Sequence, residues 1–396
     1  MNPFRKLRVL SIEQALSLPY LTYRLALEGM EVLKVENPPE GDPNRSAGPQ
    51  VLKEEKMNAY FLPFNCGKRA ITLNLSKPEG KRILRDLVQE WKVDIFTCNQ
   101  LPNKYKALGI DYETIRSFRE DIIWLGLTGF GPEISERAYD PIIQARTGIL
   151  YMTGEKDRTP FICGVPIADI SGSENGYGQV MKALYKRETT GEGSRIDVSL
   201  LSATLTYQIV NITLNKSFGT PIYRTGNNQR FFAPASVYQT SDGFVYMGLG
   251  SDKQFNILCQ ISGFESLNRP EFKTIPLRVK HMAILDEEIN QIMSKIPSEQ
   301  IIKLFQLYKI PLSEVSTIEE IVKDPLVKGR VLKAVDPKSG FELTISPPPN
   351  ETQFLSSKER ILAFAPRLGE HNGEVYGQIL GYSGGKLGEL KENEVI

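Results

Sequence analysis

LRVLSIEQALSLPYLTYRLALEGMEVLKVE, residues 7–36, decides the fold. LRVLSI (7–12) reads as a buried strand, an amphipathic stretch runs from about Pro19 to Glu28, and Gly29 stops it before a second apolar strand, EVLKVE (31–36). A helix between two strands at this spacing demands a crossover, and a crossover makes the strands parallel. The pattern repeats downstream. RAITLNL (69–75) reads as a strand. Pro78 to Gln89 reads as a helix opened by the capping box Ser76-x-x-Glu79, with Pro near its first turn. VDIFTC (93–98) and DIIWLGL (121–127) are further strands, the latter apolar on both faces as a central covered strand must be. The fold class is therefore α/β, with an open parallel sheet across roughly 1–200 and a large domain over 1–215.

The texture then changes. Residues 195–215 begin as a strand and continue as a long apolar helix, and 216–240 carry Gly, Pro, Asn and aromatics. SVYQTSDGFVYMGLG (236–250) alternates apolar and polar on either side of Ser241-Asp242-Gly243, a hairpin. Helical patterns with Pro breaks fill 252–330, so a smaller α+β domain is expected at 220–330. The remainder, 331–396, includes a helical tail from residue 366, after the Pro-rich run at 346–349.

Composition narrows the function. Lys and Arg total 48 against 47 Asp and Glu, so no nucleic-acid or anionic-membrane partner is expected and any basic site must be local. The apolar stretch after Arg8 is interrupted by Glu13, Gln14 and Pro19, too polar for a signal peptide or a membrane span. Cys66, Cys98, Cys163 and Cys259 form no C-x-x-C pair, which suits free thiols in a cytoplasmic protein. His281 and His371 are the only histidines, so a His-rich metal site is ruled out and no metal is expected.

Nucleotide motifs fail. Gly129–Gly131 and Gly176–Gly178 lack the third glycine of the dinucleotide fingerprint, the first β-α turn carries Leu18-Pro19 instead of glycines, and no Walker A run occurs. Gly381-Tyr-Ser383-Gly-Gly385 matches G-x-S-x-G, but a helix precedes it and no His follows, so it reads as a surface turn.

What remains is Gly164-Val-Pro-Ile-Ala-Asp169-Ile-Ser-Gly172-Ser-Glu-Asn-Gly176-Tyr-Gly178, a Pro-containing segment that delivers Asp169 to the start of a small-residue helix. Such a helix allows close approach of another backbone or a ligand, and the helix dipole favours an ionised Asp169. On local pattern alone Asp169 reads as a simple N-cap.

The whole chain resembles the family III CoA-transferases (the CaiB/BaiF group), which include formyl-CoA transferase, carnitine CoA-transferases and related acyl-CoA racemases. The resemblance is carried by VLSIEQALSLPY, VLKVENPPEGDPNR (32–45), NCGKRAITLNLSKPEG (65–80), AYDPIIQARTG (138–148), GVPIADISG (164–172), DGFVYMGLGSDKQFNILC (242–259) and PRLGEHNGEVYGQILGY (366–382), in that order. It implies a Rossmann-like large domain to which residues 331–396 return, an interlocked homodimer, coenzyme A as carrier, and acyl-CoA and carboxylic acid substrates. Asp169 matches the family's nucleophile. CoA contacts, by position, fall on Leu16, Ser17, Asn37, Leu73, Asn74, Leu75, Ser76, Asn99, Gln100, Tyr139 and Asp140, with Lys68, Arg69, Lys104 and Lys106 as phosphate partners or, equally, solvated surface. Arg230, followed by two Phe, is a candidate clamp for the carboxylate of a larger acid or, equally, a partner in a structural salt bridge.

Departures from the family pattern qualify this. Asn37 stands where Arg is frequent, Asn99-Gln-Leu-Pro102-Asn103 replaces N-F-x-P-G, and Ala107 replaces a common Arg. Gly226-Asn-Asn-Gln-Arg230-Phe-Phe replaces the glycine run of the formyl-CoA branch, which disfavours oxalate and formate. Tyr139 stands where the racemase branch has its His, and a phenol is a poor base at neutral pH. A racemase-like enzyme and a non-catalytic acyl-CoA binding protein are the alternatives.

Overall fold

The computed structural model describes residues 2–396 and divides into two units. Unit 1 comprises residues 1–148, 163–218 and 329–396; unit 2 comprises 149–162 and 219–328.

Unit 1 is built on six parallel strands: β1 (Arg8–Ile12), β2 (Glu31–Glu36), β3 (Arg69–Thr72), β4 (Ile95–Cys98), β5 (Ile123–Thr128) and β6 (Ser194–Ser199), in the order β3-β2-β1-β4-β5-β6. The chain winds outward from β1 through β2 to β3, then returns to lay β4 on the other side of β1. That reversal opens a crevice at the carboxyl ends of β1 and β4, the place where open α/β sheets bind ligands.

Alternate residues of each strand go to opposite faces, and both faces are covered. Leu10, Leu33, Ile71, Phe96 and Trp124 pack with Ile83 and Leu87 of helix α2 (Pro78–Glu90) and with Tyr376 and Leu390 of the tail. Val9, Val32, Ile95 and Ile123 pack with Leu18, Leu21 and Leu25 of α1 (Ser17–Leu27) and with Val180 and Ala183 of α4 (Ile167–Thr190). A shorter helix, α3 (Asp140–Arg146), precedes α4.

Three local expectations are corrected. α1 is buried on every side except at Tyr20, because it lies between the sheet and its neighbours instead of at the surface. The capping box at Ser76 does not form: the N-cap is Lys77, without a side-chain bond, while the Asn74 side chain accepts from the Ser76 N–H and donates to the Glu394 carbonyl. The apolar run after β6 breaks into Leu200–Leu205, a 3-10 turn, and α5 (Ile209–Phe218), which buries none of its residues. Ser383 is the N-cap of the tail helix Gly384–Glu392, its hydroxyl accepting from the Lys386 N–H.

A three-stranded sheet of β10 (Leu332–Val335), β11 (Glu342–Ile345) and β12 (Ile361–Leu362) completes unit 1. Unit 2 holds the hairpin β7 (Ala235–Gln239) and β8 (Phe244–Gly248), joined by β9 (Leu312–Glu314), over a core of Phe255, Phe264, Phe272, Leu285 and Phe305.

Candidate active site

Asp169 is the third residue of α4, not its cap. The N-cap is Pro166, which has no side-chain oxygen to offer. The orphan amides of this turn are met from elsewhere: Asp140 Oδ2 accepts from the Ala168 N–H at 2.7 Å and from the Asp169 N–H at 3.1 Å. A carboxylate at a helix N-terminus is well placed both as acceptor and against the macrodipole. Asp140 is in turn held by its own helix, because Gln144, one turn on, donates its Nε2 to Asp140 Oδ1. Gln144 Oε1 accepts from the Cys163 N–H at 3.0 Å. Asp140 and Gln144 are both buried.

The dipole does not keep Asp169 at an ordinary carboxyl pKa. Burial, with the Asp140 carboxylate next to it adding repulsion, pushes the Asp169 carboxyl up to about 7. No side chain among the described residues donates to its oxygens. This corrects the expectation of a fully ionised group: one favourable helix end is outweighed by desolvation and a like charge.

Two of the three glycines of α4 serve close packing, while Gly178 faces open space. A Cβ on Gly172 would strike the Leu200 side chain, and one on Gly176 would strike Leu21 Cδ1 of α1. The Ser173 hydroxyl lies 2.7 Å from the Asp169 carbonyl and also against the Ser17 carbonyl, which joins the first turn of α4 to the start of α1. Tyr60, absent from the sequence reading, belongs to this site: its phenol pKa is raised by burial first and then by the facing carboxylates of Asp169 and Asp140. Tyr60 is also the end of an aromatic row through Phe64 and Tyr20, with centroids 6.1 and 6.3 Å apart. Nothing in its local sequence distinguishes it from a surface tyrosine.

The crevice at the carboxyl ends of the strands is lined by Asn37, Leu73, Leu75, Ser76, Gln100 and Lys104. Leu16 and Ser17 are buried at the start of α1. Asn99 closes back on the β1-α1 turn, its Oδ1 accepting from the Gln14 N–H and its Nδ2 donating to the Gln14 carbonyl. Asn74 is engaged with the tail as described above. Lys106 is exposed outside the lining, and Tyr139, the N-cap of α3, is 66% exposed.

Two expected phosphate partners are placed otherwise. Lys68 Nζ is fully buried, 2.7 Å from Glu13 Oε1 and 2.9 Å from the Pro19 carbonyl. Lys34 joins the same cluster, 2.7 Å from Asp42 and 3.6 Å from Glu13. Burial alone would raise the Glu13 carboxyl, but Lys68 and Lys34 overcome it and bring it down to about 2. A lysine in a strand-adjacent loop with a buried carboxylate to neutralise stays inside. Arg69 starts β3 and so faces the amino-terminal edge of the sheet, pairing with Glu31 and Glu374 beside a separate hollow lined by Lys6, Met30 and Lys358. That hollow is larger than the crevice, and Asp169, Asp140 and Tyr60 line neither of them.

The same Glu13–Asp42 cluster shapes the β1-α1 turn. Ala15 adopts φ 65°, and Asp42 Oδ1 holds its N–H at 3.0 Å while Asn44 Nδ2 holds its carbonyl at 2.7 Å. In unit 2, Arg230 donates to the Pro221 and Tyr223 carbonyls and stacks on the Tyr223 ring, 4.8 Å to centroid, with no carboxylate paired to it among the described residues. No group of three potential metal ligands comes together among the described residues, and no helix is long and apolar enough to cross a membrane.

Similarity to known proteins identifies the family of the chain. The chain is 32% identical to the succinate–glutarate CoA-transferase of Agrobacterium fabrum, over 95% of this chain and 96% of that one. It is 30% identical to the succinyl-CoA:glutarate CoA-transferase of Mus musculus, over 100% of this chain and 91% of that one. Among solved structures, a CaiB/BaiF family protein from Brucella suis superposes with a TM-score of 0.83 at 28% identity, covering 96% of this chain and 99% of that one. The model of CoA-transferase family III matches residues 4–372, and the chain belongs to that family.

Proposed function

We propose that this enzyme moves CoA from an acyl-CoA thioester to a free carboxylic acid, with Asp169 as the covalent nucleophile. One observation carries the reading: Asp169 has a carboxylate that no donor occupies, desolvated and pushed up to about 7, on a helix start held by a second carboxylate. A carboxylate with raised proton affinity is the better nucleophile once ionised.

The ionised Asp169 attacks the thioester carbonyl; the C–S bond breaks, CoA leaves as thiolate, and an acyl-aspartyl anhydride remains. The thiolate attacks the aspartyl carbonyl, the donor acid leaves as carboxylate, and an aspartyl-CoA thioester forms. The acceptor carboxylate attacks that thioester and expels the thiolate. The thiolate then attacks the acceptor side of the new anhydride, returning Asp169 as carboxylate and releasing the new acyl-CoA. No proton and no energy source is consumed, and water must be kept from both intermediates.

CoA lies in the crevice of Asn37, Leu73 to Ser76 and Gln100, where Lys104 is the lining cation available to phosphate. Lys106, Leu16, Ser17 and Tyr139 are further CoA contacts by family position, and Arg230 of unit 2 is a cation open to a carboxylate. The relatives' names make succinate and glutarate the first acids to assay, with oxalate and formate disfavoured by the Gly226–Phe232 segment. The assembly is an interlocked homodimer in the cytoplasm, a reading supported by unpartnered apolar side chains such as Phe218, Ile318 and Leu326, each more than 70% exposed.

Incubation with radiolabelled succinyl-CoA followed by borohydride or hydroxylamine trapping tests the nucleophile. Label on the peptide carrying Asp169 is the expected result; an unlabelled Asp169 with an otherwise active enzyme rules this mechanism out. Sedimentation showing a stable monomer would contradict the dimer.

A further inference from the structure

Between the nucleophile and the rest of its unit stands one neutral side chain whose two ends are both committed. Gln144 is fully buried on α3. Its Nε2 meets Asp140 Oδ1 and its Oε1 meets the Cys163 N–H. The amide has one workable orientation: turned over, its oxygen would face a carboxylate and its NH2 would face an N–H donor. Cys163 is where the chain re-enters unit 1 after the excursion of 149–162, six residues before Asp169. Asp140 in turn caps the turn that contains Asp169. One amide therefore ties the entry of the nucleophile segment, the capping carboxylate and the first turn of α4 together.

We propose that Gln144 is a positioning residue for the transfer reaction: its side-chain amide locks the Asp140 carboxylate onto the backbone N–H groups of Ala168 and Asp169 and so fixes the separation of the two carboxylates. The proposal rests on Asp169 being the nucleophile, but its geometric content does not. Gln144 is not part of the crevice lining, so its effect reaches the reaction through Asp140 and the anchored Cys163 N–H.

The chemistry dictates opposite responses to two substitutions. Gln144→Met keeps the size and removes both hydrogen bonds. Asp140 is then released from α4, its repulsion on Asp169 weakens, and the freed amides of Ala168 and Asp169 favour the Asp169 carboxylate, so the titration midpoint falls. Gln144→Glu sets a third carboxylate against Asp140, and the midpoint rises. The ionisable groups that face Asp169 are Asp140 and the Tyr60 phenol, and Tyr60 stays neutral across this range.

The test is a carbon-13 titration of Asp169 with aspartate-labelled full-length protein, read beside the kinetics of adduct formation from succinyl-CoA. The expected result is a midpoint at least half a unit lower in Gln144→Met and at least half a unit higher in Gln144→Glu, with kcat down about tenfold or more in both and KM for acyl-CoA within twofold. Midpoints unchanged in both variants, or moved in the same direction, overturn the proposal. If one variant does not fold, the sign of the other decides. In the unsubstituted protein, the Gln144 side-chain amide signal should move with the Asp169 midpoint, and an amide signal flat across that range overturns the proposal without any variant. Failure of the nucleophile reading shows separately, as absence of the adduct in the unsubstituted enzyme with the titration shifts intact.

Discussion

Asp169→Asn should make the protein more stable, and the gain should depend on pH. In the folded chain Asp169 holds its proton to about pH 7, because burial and the Asp140 carboxylate oppose its ionisation; in the unfolded chain it loses the proton near 3.8, the ordinary value of an aspartate. Between these limits the folded state binds more protons, so rising pH works against it. At about 1.36 kcal/mol per unit the full shift is worth roughly 4 kcal/mol, and the remaining solvent access of this half-buried carboxylate reduces that to ~2 kcal/mol. Asparagine has no proton to lose and keeps the shape of the side chain. Its advantage should be near zero at pH 4, should grow through pH 5 and 6, and should level off above about 7. Differential scanning fluorimetry of both proteins from pH 4 to 8 reads this as a gap that widens to roughly 2–3 °C for a chain of this size. Comparing pH values within each protein cancels any constant effect of the substitution. A gap that is flat with pH, or that narrows as pH rises, would refute the electrostatic account of the site.

The same group sets the activity profile: single-turnover adduct formation under limiting acyl-CoA should fall about tenfold per pH unit below about 7 and reach a plateau above it, and a profile level down to pH 5 would count against Asp169 ionising in that range. Glu13→Gln should cost about 3–5 kcal/mol in urea unfolding, since Lys68 loses its charged partner inside the protein and Lys34 keeps only Asp42; a loss under 1 kcal/mol would mean the cluster relaxes into water. Gly176→Ala should cost about 1–3 kcal/mol because α4 must move off Leu21, and an unchanged urea midpoint would show that the contact yields freely.

The parallel sheet was legible because it rests on hydrophobic runs bounded by turn residues, a signal local to each strand. Asp169 was legible as a position for similar reasons, since G-x-P-x-A-D announces a helix start. Its electrostatics were not. They depend on Asp140, 29 residues away, whose carboxylate reaches the turn only after α3 and α4 have packed. Lys68 and Arg69 show the same limit: adjacent in sequence, one is drawn inward to Glu13 from the loop before β3 and the other pairs with Glu31 and Glu374 at the start of β3, and no composition reveals which partner waits. The capping box at Ser76 failed for a local reason, since Asn74 competes for the same backbone and wins.

The cap that Asp140 places on α4 also limits how this site can be re-used. A nucleophile whose helix carried its own capping residue would be a portable cassette, movable to another scaffold as a single contiguous peptide. Here the cap and its amide brace come from one stretch of chain and the nucleophile from another, with the excursion of 149–162 between them. Grafting residues 164–178 alone would transplant an aspartate without the neighbour that gives it its character. Engineers seeking to move or permute this chemistry must carry residues 139–148 with it, and any loop exchange in 149–162 must return the chain to the same anchor at Cys163.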